Sequence, residues 1–187
     1  MEMNKIEVGG VYWDGRQGVR KVLKMDRMPE GVFIQGANVD YEVLAARSMT
    51  SPAFDKKTAD GKTGGSMILS SMASWAKEKL APDQVEPLLA RLQAESFRPS
   101  PAQAALIVRL QQAQGENNQV IALEQREASS LGSLVAAGFL ISPSGTKLAR
   151  LSLAGRALAA RLNQSELAPT PQPDVVAPSN RRRGPKP

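Results

Sequence analysis

The sequence predicts an α+β protein, with a small β-unit first, linking helices next and a second mixed unit near the carboxyl end. Short apolar runs separated by turn residues fill the first 46 residues, and apolar residues recur at three-to-four spacing from residue 66 onward. The last 20 residues are rich in proline and arginine, which predicts a disordered basic tail. The predicted segments are a β-unit at 1–46, a flexible loop at 47–65, a helical linker at 66–97, a C-terminal domain at 98–165 and the disordered tail at 166–187.

Four short strands are expected in the N-terminal unit. Asp14-Gly15 is a strong hairpin turn signal, and further glycine-containing turns separate the later runs. So many short strands in about 40 residues predict a β-meander or a small SH3-like barrel. The four expected strands are Val11–Trp13, Val19–Met25, Val32–Ile34 and Val39–Leu44.

The aromatic residues of this unit allow two interpretations. Beside Arg16, Arg20 and Lys21 they could form a nucleic-acid surface on which bases stack. The interpretation that Tyr12, Trp13 and Phe33 are core residues is favoured, because residues 1–97 hold 13 basic and 13 acidic side chains and are therefore electrically neutral. Trp75 is expected in the core for the same reason.

Two helices are expected in the linker. Ser66–Leu80 has apolar residues at helical spacing, and Pro82 is suited to the first turn of a second helix. Pro87 falls inside that second helix and is expected to shorten or kink it.

Local signals define the order of elements after residue 98. Ser100, Pro101 and Gln103 form a capping box at the start of a helix over Pro101–Gln114. A second helix is expected near Gln119–Gln125 and a third at about Glu127–Ala137.

A glycine, a hairpin and a last helix are expected to follow. Gly138 is suited to the left-handed position that ends a helix. Pro143-Ser144-Gly145 predicts the turn of a short hairpin, and Ser152 can cap the closing helix.

Two runs in this region resemble the winged-helix (winged helix-turn-helix) superfamily of bacterial DNA-binding proteins. The first is Leu134-Val135-Ala136-Ala137-Gly138-Phe139-Leu140-Ile141, and the second is Leu151-Ser152-Leu153-Ala154-Gly155-Arg156-Ala157. The resemblance covers residues 100–163, approximately. It implies that the third helix is a recognition helix for the major groove and that the hairpin is the wing.

Candidate DNA contacts follow from that resemblance. Small polar side chains on the recognition helix and cations beside it and on the wing are suited to base edges and phosphates. The candidates are Arg126, Ser129, Ser130, Ser133, Lys147 and Arg150. The three serines are expected to share one outward surface of the helix.

The end of the chain adds a further basic segment. Asn180–Pro187 resembles an AT-hook, although Gly184 is followed by proline where that motif has a second arginine. Arg181, Arg182 and Arg183 are therefore candidate minor-groove or phosphate contacts. A solubilising tail with nonspecific affinity is the alternative.

Composition narrows the classes of function. The chain contains neither cysteine nor histidine, which excludes disulfides and thiolate zinc sites and removes the commonest general base. For an enzyme, the candidate carboxylates are Asp14, Asp26, Asp40 and Glu42, but they show no metal-ligand spacing and have no histidine partner. We therefore expect no catalytic residue, no metal and no cofactor. No apolar run approaches the length of a membrane span, and the N-terminus lacks the apolar core of a signal peptide, so a cytoplasmic location is expected.

The distribution of charge favours a polyanionic partner. Residues 98–187 hold 11 basic and 5 acidic side chains, so the whole excess of +6 lies in this half. The sequence thus predicts a protein that binds double-stranded DNA, as a transcriptional regulator or accessory factor of a bacterium, phage or mobile element. It does not determine the oligomeric state, and a homodimer is one assembly compatible with it. The alternative is a protein-interaction adaptor that uses the winged helix for docking.

Overall fold

A computed structural model of the chain describes residues 1–26, 37–47, 54–55, 63–115 and 119–167. These residues form antiparallel sheets and α-helices, which confirms the predicted α+β class. The expected strand at Val32–Ile34 and residues 168–187 of the expected tail lie outside the described residues, whereas residues 166 and 167 belong to the last helix and not to the tail.

The N-terminal sheet begins after a 3-10 turn at Met3–Lys5 and is antiparallel throughout its described pairs. Its order is β4-β3-β2-β1-β6, and β5 also pairs with β3. The strands are β1 (Val11–Trp13), β2 (Val19–Met25), β3 (Asn38–Arg47), β4 (Phe54–Asp55), β5 (Gly64–Ile68) and β6 (Glu78–Leu80). Three of the four expected strands are therefore confirmed.

The core of the N-terminal unit is formed by side chains from neighbouring strands. Val22 and Val39 are fully buried between the sheet and the helix that follows it, and Val19 is fully buried in a separate cluster with Leu88 and Leu92. Tyr12 is buried as well, and its hydroxyl donates to the Lys5 carbonyl at 2.9 Å while accepting from the Glu7 amide at 2.8 Å. The core interpretation is confirmed for Tyr12, whereas Trp13 and Trp75 are only half-buried and Phe33 lies outside the described residues.

The helix expected over Ser66–Leu80 is wrong at both ends. Only α1 (Leu69–Trp75) is helical there, because residues before it extend β5 along β3 and residues after it extend β6 along β1. The backbone N–H and C=O groups on either side of α1 therefore form hydrogen bonds with the strands β3 and β1 instead of with a longer helix. The loop expected at 47–65 likewise contains Phe54–Asp55 and the start of β5; residues 48–53 and 56–62 are outside the described part.

Helix α2 (Pro82–Ser96) belongs to two cores. It begins at Pro82 as expected, and it continues through Pro87, so this proline does not shorten it. Leu88 and Leu92 pack with β2, β3 and β6, while Ala90 and Ala94 pack with the C-terminal helices. The expected linker therefore supplies core residues to both halves.

The C-terminal half alternates helices with very short strands, and its sheet has the order β7-β9-β8. Its core includes Ile107, Leu110, Leu134 and Leu158, and the rings of Phe97 and Phe139 lie 4.5 Å apart. The elements are α3 (Pro101–Gln114), β7 (Ile121–Ala122), a 3-10 turn (Gln125–Glu127), α4 (Ala128–Ala136), β8 (Leu140–Ile141), β9 (Leu148–Leu151) and α5 (Leu153–Leu167).

The predicted cap of α3, stop of α4 and cap of α5 are confirmed. Ser100 accepts from the Gln103 amide, and the Gln103 side chain accepts from the Ser100 amide at 2.8 Å. Gly138 has φ of 78°, and the amides of Gly138 and Phe139 donate to carbonyls in the last turn of α4. Ser152 caps α5 by accepting from the Gly155 amide at 3.0 Å.

The hairpin turn is also as predicted. Gly145 has φ of 74°, and the Thr146 amide donates to the Pro143 carbonyl at 3.2 Å. The turn joins β8 to β9, and Leu140 of β8 pairs with Leu151 of β9.

The second helix, expected near Gln119–Gln125, is wrong. Ile121 and Ala122 instead pair with Ala149 and Leu148 of β9. The buried side chain of Gln114 fixes this segment, since it donates to the Gln119 carbonyl at 2.7 Å and accepts from the amide of Leu151 in β9 at 3.2 Å. Bonds to a distant strand replace the local bonds of a helix.

Within the described residues, no helix has both the length and the apolar character needed to cross a membrane.

Candidate nucleic-acid interface

Helix α4 presents a shallow outward side. Leu134 and Ser130 face the core, with 0% and 8% of their surface exposed. Ser129, Gly132, Ser133 and Ala136 are exposed, and all have small side chains. This side of α4 can therefore approach a partner closely, but it offers few groups that read bases.

Glu127 fixes the start of α4. Its carboxylate receives both the Nε and an Nη of Arg109 on α3 at 2.6 Å, and the amide of Glu124 at 2.8 Å. Burial opposes ionisation of Glu127, but these hydrogen bonds and the Arg109 charge prevail and lower the pKa of the carboxyl below its ordinary value. Arg109 is consequently occupied within the fold.

A side-chain bond connects the hairpin to the beginning of α4. Lys147, next to the hairpin turn, donates from Nζ to Oε1 of Gln125. The neighbouring Arg126 is 81% exposed and pairs with Glu124 at 2.8 Å. Two predicted contact cations, Arg126 and Lys147, thus lie at the same end of α4.

Arg150 lies on the outward side of the small sheet. Its neighbours Ala149 and Leu151 are buried, and Arg150 pairs across the sheet with the exposed Ile141. Alternation along β9 therefore points Arg150 away from the core. We call Arg126, Ser129, Lys147 and Arg150 the α4–hairpin surface.

The predicted serine surface needs correction. Ser130 is buried against the core, so it does not share the outward side with Ser129 and Ser133. Ser133 is exposed, yet its hydroxyl accepts from the Gln103 side chain at 2.9 Å and donates to the Ser130 carbonyl at 3.0 Å. The candidates Arg181, Arg182 and Arg183 lie outside the described residues.

Three interactions around α4 were not predicted from the sequence: the bond to Ser133 from Gln103, which was expected only to cap α3, the pairing of Arg109 with Glu127, and the bond from Lys147 to Gln125. The spacing of Glu124 and Glu127 before an apolar helix is a capping signal and could have indicated where α4 is held. The pairing of Glu127 with Arg109 joins two helices and has no local signal.

The outward side of the small sheet is also apolar. Four large side chains there or at its edge are 40% to 49% exposed. They are Val120, Ile141, Leu148 and Leu153.

Among the described residues, no cluster of acidic side chains is arranged to hold a metal ion. Comparison of the chain with known protein families, with curated proteins and with solved structures finds no match.

Proposed function

We propose that residues 98–165 form a winged-helix unit that holds duplex DNA mainly through its phosphates, as part of a transcriptional regulator or accessory factor. The observation that most supports this proposal is the bond between Lys147 and Gln125, which joins the hairpin to the start of α4 beside the exposed Arg126. Cations from two elements then face one partner. The exposed small side chains of α4 leave room for a phosphate backbone to come close.

The order of elements supports the same proposal. A helix that ends at Gly138, a hairpin that turns at Gly145 and a capped closing helix follow one another as the resemblance implies. β7 stands where a further helix is expected, and it adds a third strand to the hairpin.

Salt-dependent binding to a random-sequence duplex tests the proposal. We expect binding at low salt, and we expect the triple variant Arg126→Glu, Lys147→Glu and Arg150→Glu to abolish it or to reduce the salt slope by about 2–3, at roughly 0.9 per lost phosphate contact. The charge-matched control reverses Lys5, Lys24 and Arg98, which are exposed outside the α4–hairpin surface. Absence of duplex binding even at low salt, or an equal loss in both triple variants, would contradict the proposal.

A protein-interaction adaptor is the second candidate, and the apolar outward side of the small sheet favours it. Replacing Ile141 and Leu148 with threonine removes apolar surface and retains every charge. An adaptor would lose its cellular function in this double variant and keep it after charge reversal. A DNA-binding protein would show the opposite pattern.

A further inference from the structure

A cleft opens between the N-terminal sheet and α2. Its volume is about 740 Å³, within the usual range for ligand sites. Both tryptophans of the chain, Trp13 and Trp75, line it, together with Arg16, Arg20 and Arg91. We call it the tryptophan cleft. None of its residues belongs to the α4–hairpin surface.

Arg20 is held between aromatic rings. Its guanidinium carbon lies 4.2 Å from the ring centre of Trp75 and 4.4 Å from that of Tyr41. Burial lowers the pKa of Arg20 below its ordinary value, yet arginine remains charged at neutral pH. No carboxylate of the described residues forms an ion pair with Arg20.

Hydrogen bonds within the turn that precedes Arg20 hold this turn in place. Asp14 accepts from the amides of Arg16 and Gly18 at 2.7 and 3.0 Å, which uses this carboxylate for the turn. The indole nitrogen of Trp13 donates to the Arg16 carbonyl at 3.1 Å. The exposed guanidinium of Arg16 has no ion-pair or hydrogen-bond partner in the part of the chain that the structure describes.

Helix α2 closes the other side of the cleft. Arg91 lies 5.6 Å from the ring centre of Trp13, and Glu95 pairs with Arg91 at 3.5 Å. Glu95 thus faces Arg91, and Asp14 serves the turn. Arg20 donates one Nη to Sδ of Met67 at 3.6 Å and lies within the electrostatic influence of Asp14, so its remaining donors and the guanidinium of Arg16 are left for an incoming anion.

We propose that the tryptophan cleft binds a nucleoside phosphate unit, with its base against tryptophan and its phosphate on Arg16 and Arg20. Aromatic rings and guanidinium planes are the groups on which unpaired bases stack, and arginine is suited to phosphate. An acidic peptide would engage the arginines but would leave both tryptophans without a planar partner. A base inside a duplex cannot enter a concave site, so the unit comes from a single strand or from a free nucleotide.

Tryptophan emission of the full chain tests the proposal, because both tryptophans lie in the cleft. Oligothymidylate of eight nucleotides and thymidine monophosphate are titrated separately. We expect a saturable change in emission with at least one of them. Tighter binding of the oligomer identifies a single strand as the source, whereas equal affinity identifies a free nucleotide.

Variants connect the signal to the cleft. Arg16→Gln keeps the carbonyl that holds Trp13, and we expect it to weaken binding about fivefold; Arg20→Gln should weaken it tenfold or more. The matched control Arg98→Gln lies outside the cleft and should bind like the unaltered protein. The triple variant of the α4–hairpin surface should also keep the response, so failure of duplex binding and failure of this proposal are distinguishable.

Three results would overturn the proposal. They are no saturable change with either thymidine probe, an equal loss of affinity in Arg98→Gln and Arg16→Gln, and an equally tight response to a polyglutamate peptide. A circular dichroism spectrum for each variant separates loss of binding from loss of fold, and Arg16→Gln, on an exposed turn, provides the test if Arg20→Gln does not fold.

Discussion

At the scale of single residues, Glu127 joins α3, α4 and the segment between them through one carboxylate. Two bonds from Arg109 and one from the Glu124 amide meet there, and the side chain is 12% exposed. In substitution experiments, a hydrogen bond to a charged group of this kind contributes about 2 kcal/mol to the stability of a protein. The carboxylate form of Glu127 therefore stabilises the C-terminal half.

Glu127→Gln should reduce the free energy of unfolding by about 2 kcal/mol at neutral pH. Because folding lowers the pKa of Glu127, its contribution is complete above the ordinary value of 4.5 and is lost as the pH falls through the lower folded pKa. Urea unfolding at a series of pH values should show the difference between the two proteins shrinking as the pH falls below 4.5.

Glu2→Gln is the matched control, since the pair of Glu2 with Lys5 is 70% and 62% exposed. Pairs so exposed contribute little, so this variant should unfold like the unaltered protein at each pH. A constant difference between Glu127→Gln and the unaltered protein from pH 7 to pH 3 would contradict the assigned role.

At the scale of elements, two helical glycines have opposite surroundings. A Cβ at Gly155, in the first turn of α5, would overlap the carbonyl oxygen of Phe139, and that carbonyl also accepts from the Ser152 amide. A Cβ at Gly132, in the exposed middle of α4, would meet nothing within 4 Å. Because Gly155 has no side chain, the first turn of α5 can approach the backbone of Phe139 closely. Gly132 has no such role in packing.

Gly155→Ala should therefore destabilise the protein by about 1–3 kcal/mol, the usual cost of overpacking. Gly132→Ala should stabilise it by about 0.5–1 kcal/mol, because alanine is the better helix former. Thermal unfolding of both variants beside the unaltered protein measures the two effects. The same sign for both changes would show that the surroundings of the two glycines do not decide the outcome.

Elements that rest on bonds between near neighbours were predictable from the sequence. The Ser100 and Ser152 caps and the Gly138 stop each involve residues within five positions, and all three are as predicted. The segment near Ile121 was not predictable, because its partner Ala149 lies far along the chain. Short apolar runs are compatible with a helix or a strand until such a partner is known.

The candidate interface also combines features with a local sequence signal and features that depend on contacts between distant elements. Ser130 precedes Leu134 by four residues and so shares its buried side, which is a local signal that the serine pattern overlooks. The bond from Lys147 to Gln125 and the meeting of Trp13 with Trp75 depend on how separate elements pack. The sequence therefore indicated the cations near α4, and it offered Trp13, Arg16 and Arg20 as the less favoured nucleic-acid surface, but Trp75 and Arg91 complete the cleft only through packing.

At the scale of the whole molecule, α2 joins the two halves. Its leucines belong to the N-terminal core and its alanines to the C-terminal core. Arg161 of α5 adds donors to the carbonyls of Ala94, Glu95 and Phe97 at the end of α2. Neither half can lose α2 without exposing apolar surface to water.

The chain should consequently unfold in one cooperative transition. Tryptophan emission reports on the N-terminal half and on its contact with α2, whereas far-ultraviolet circular dichroism reports on all helices. We expect the two signals to give the same midpoint in urea, and we expect Arg161→Gln to lower both together. Midpoints that separate, or a shift of only one signal in the variant, would contradict this prediction.

The double membership of α2 also has a thermodynamic consequence. Arg91 and Glu95 line the tryptophan cleft, and the carbonyls of Ala94 and Glu95 receive Arg161 from the helix that closes the C-terminal half. If both proposed ligands bind, and a nucleotide in the cleft changes the affinity for DNA by some factor through α2, then bound DNA must change the affinity for the nucleotide by the same factor. One helix would then make each ligand an effector of the other.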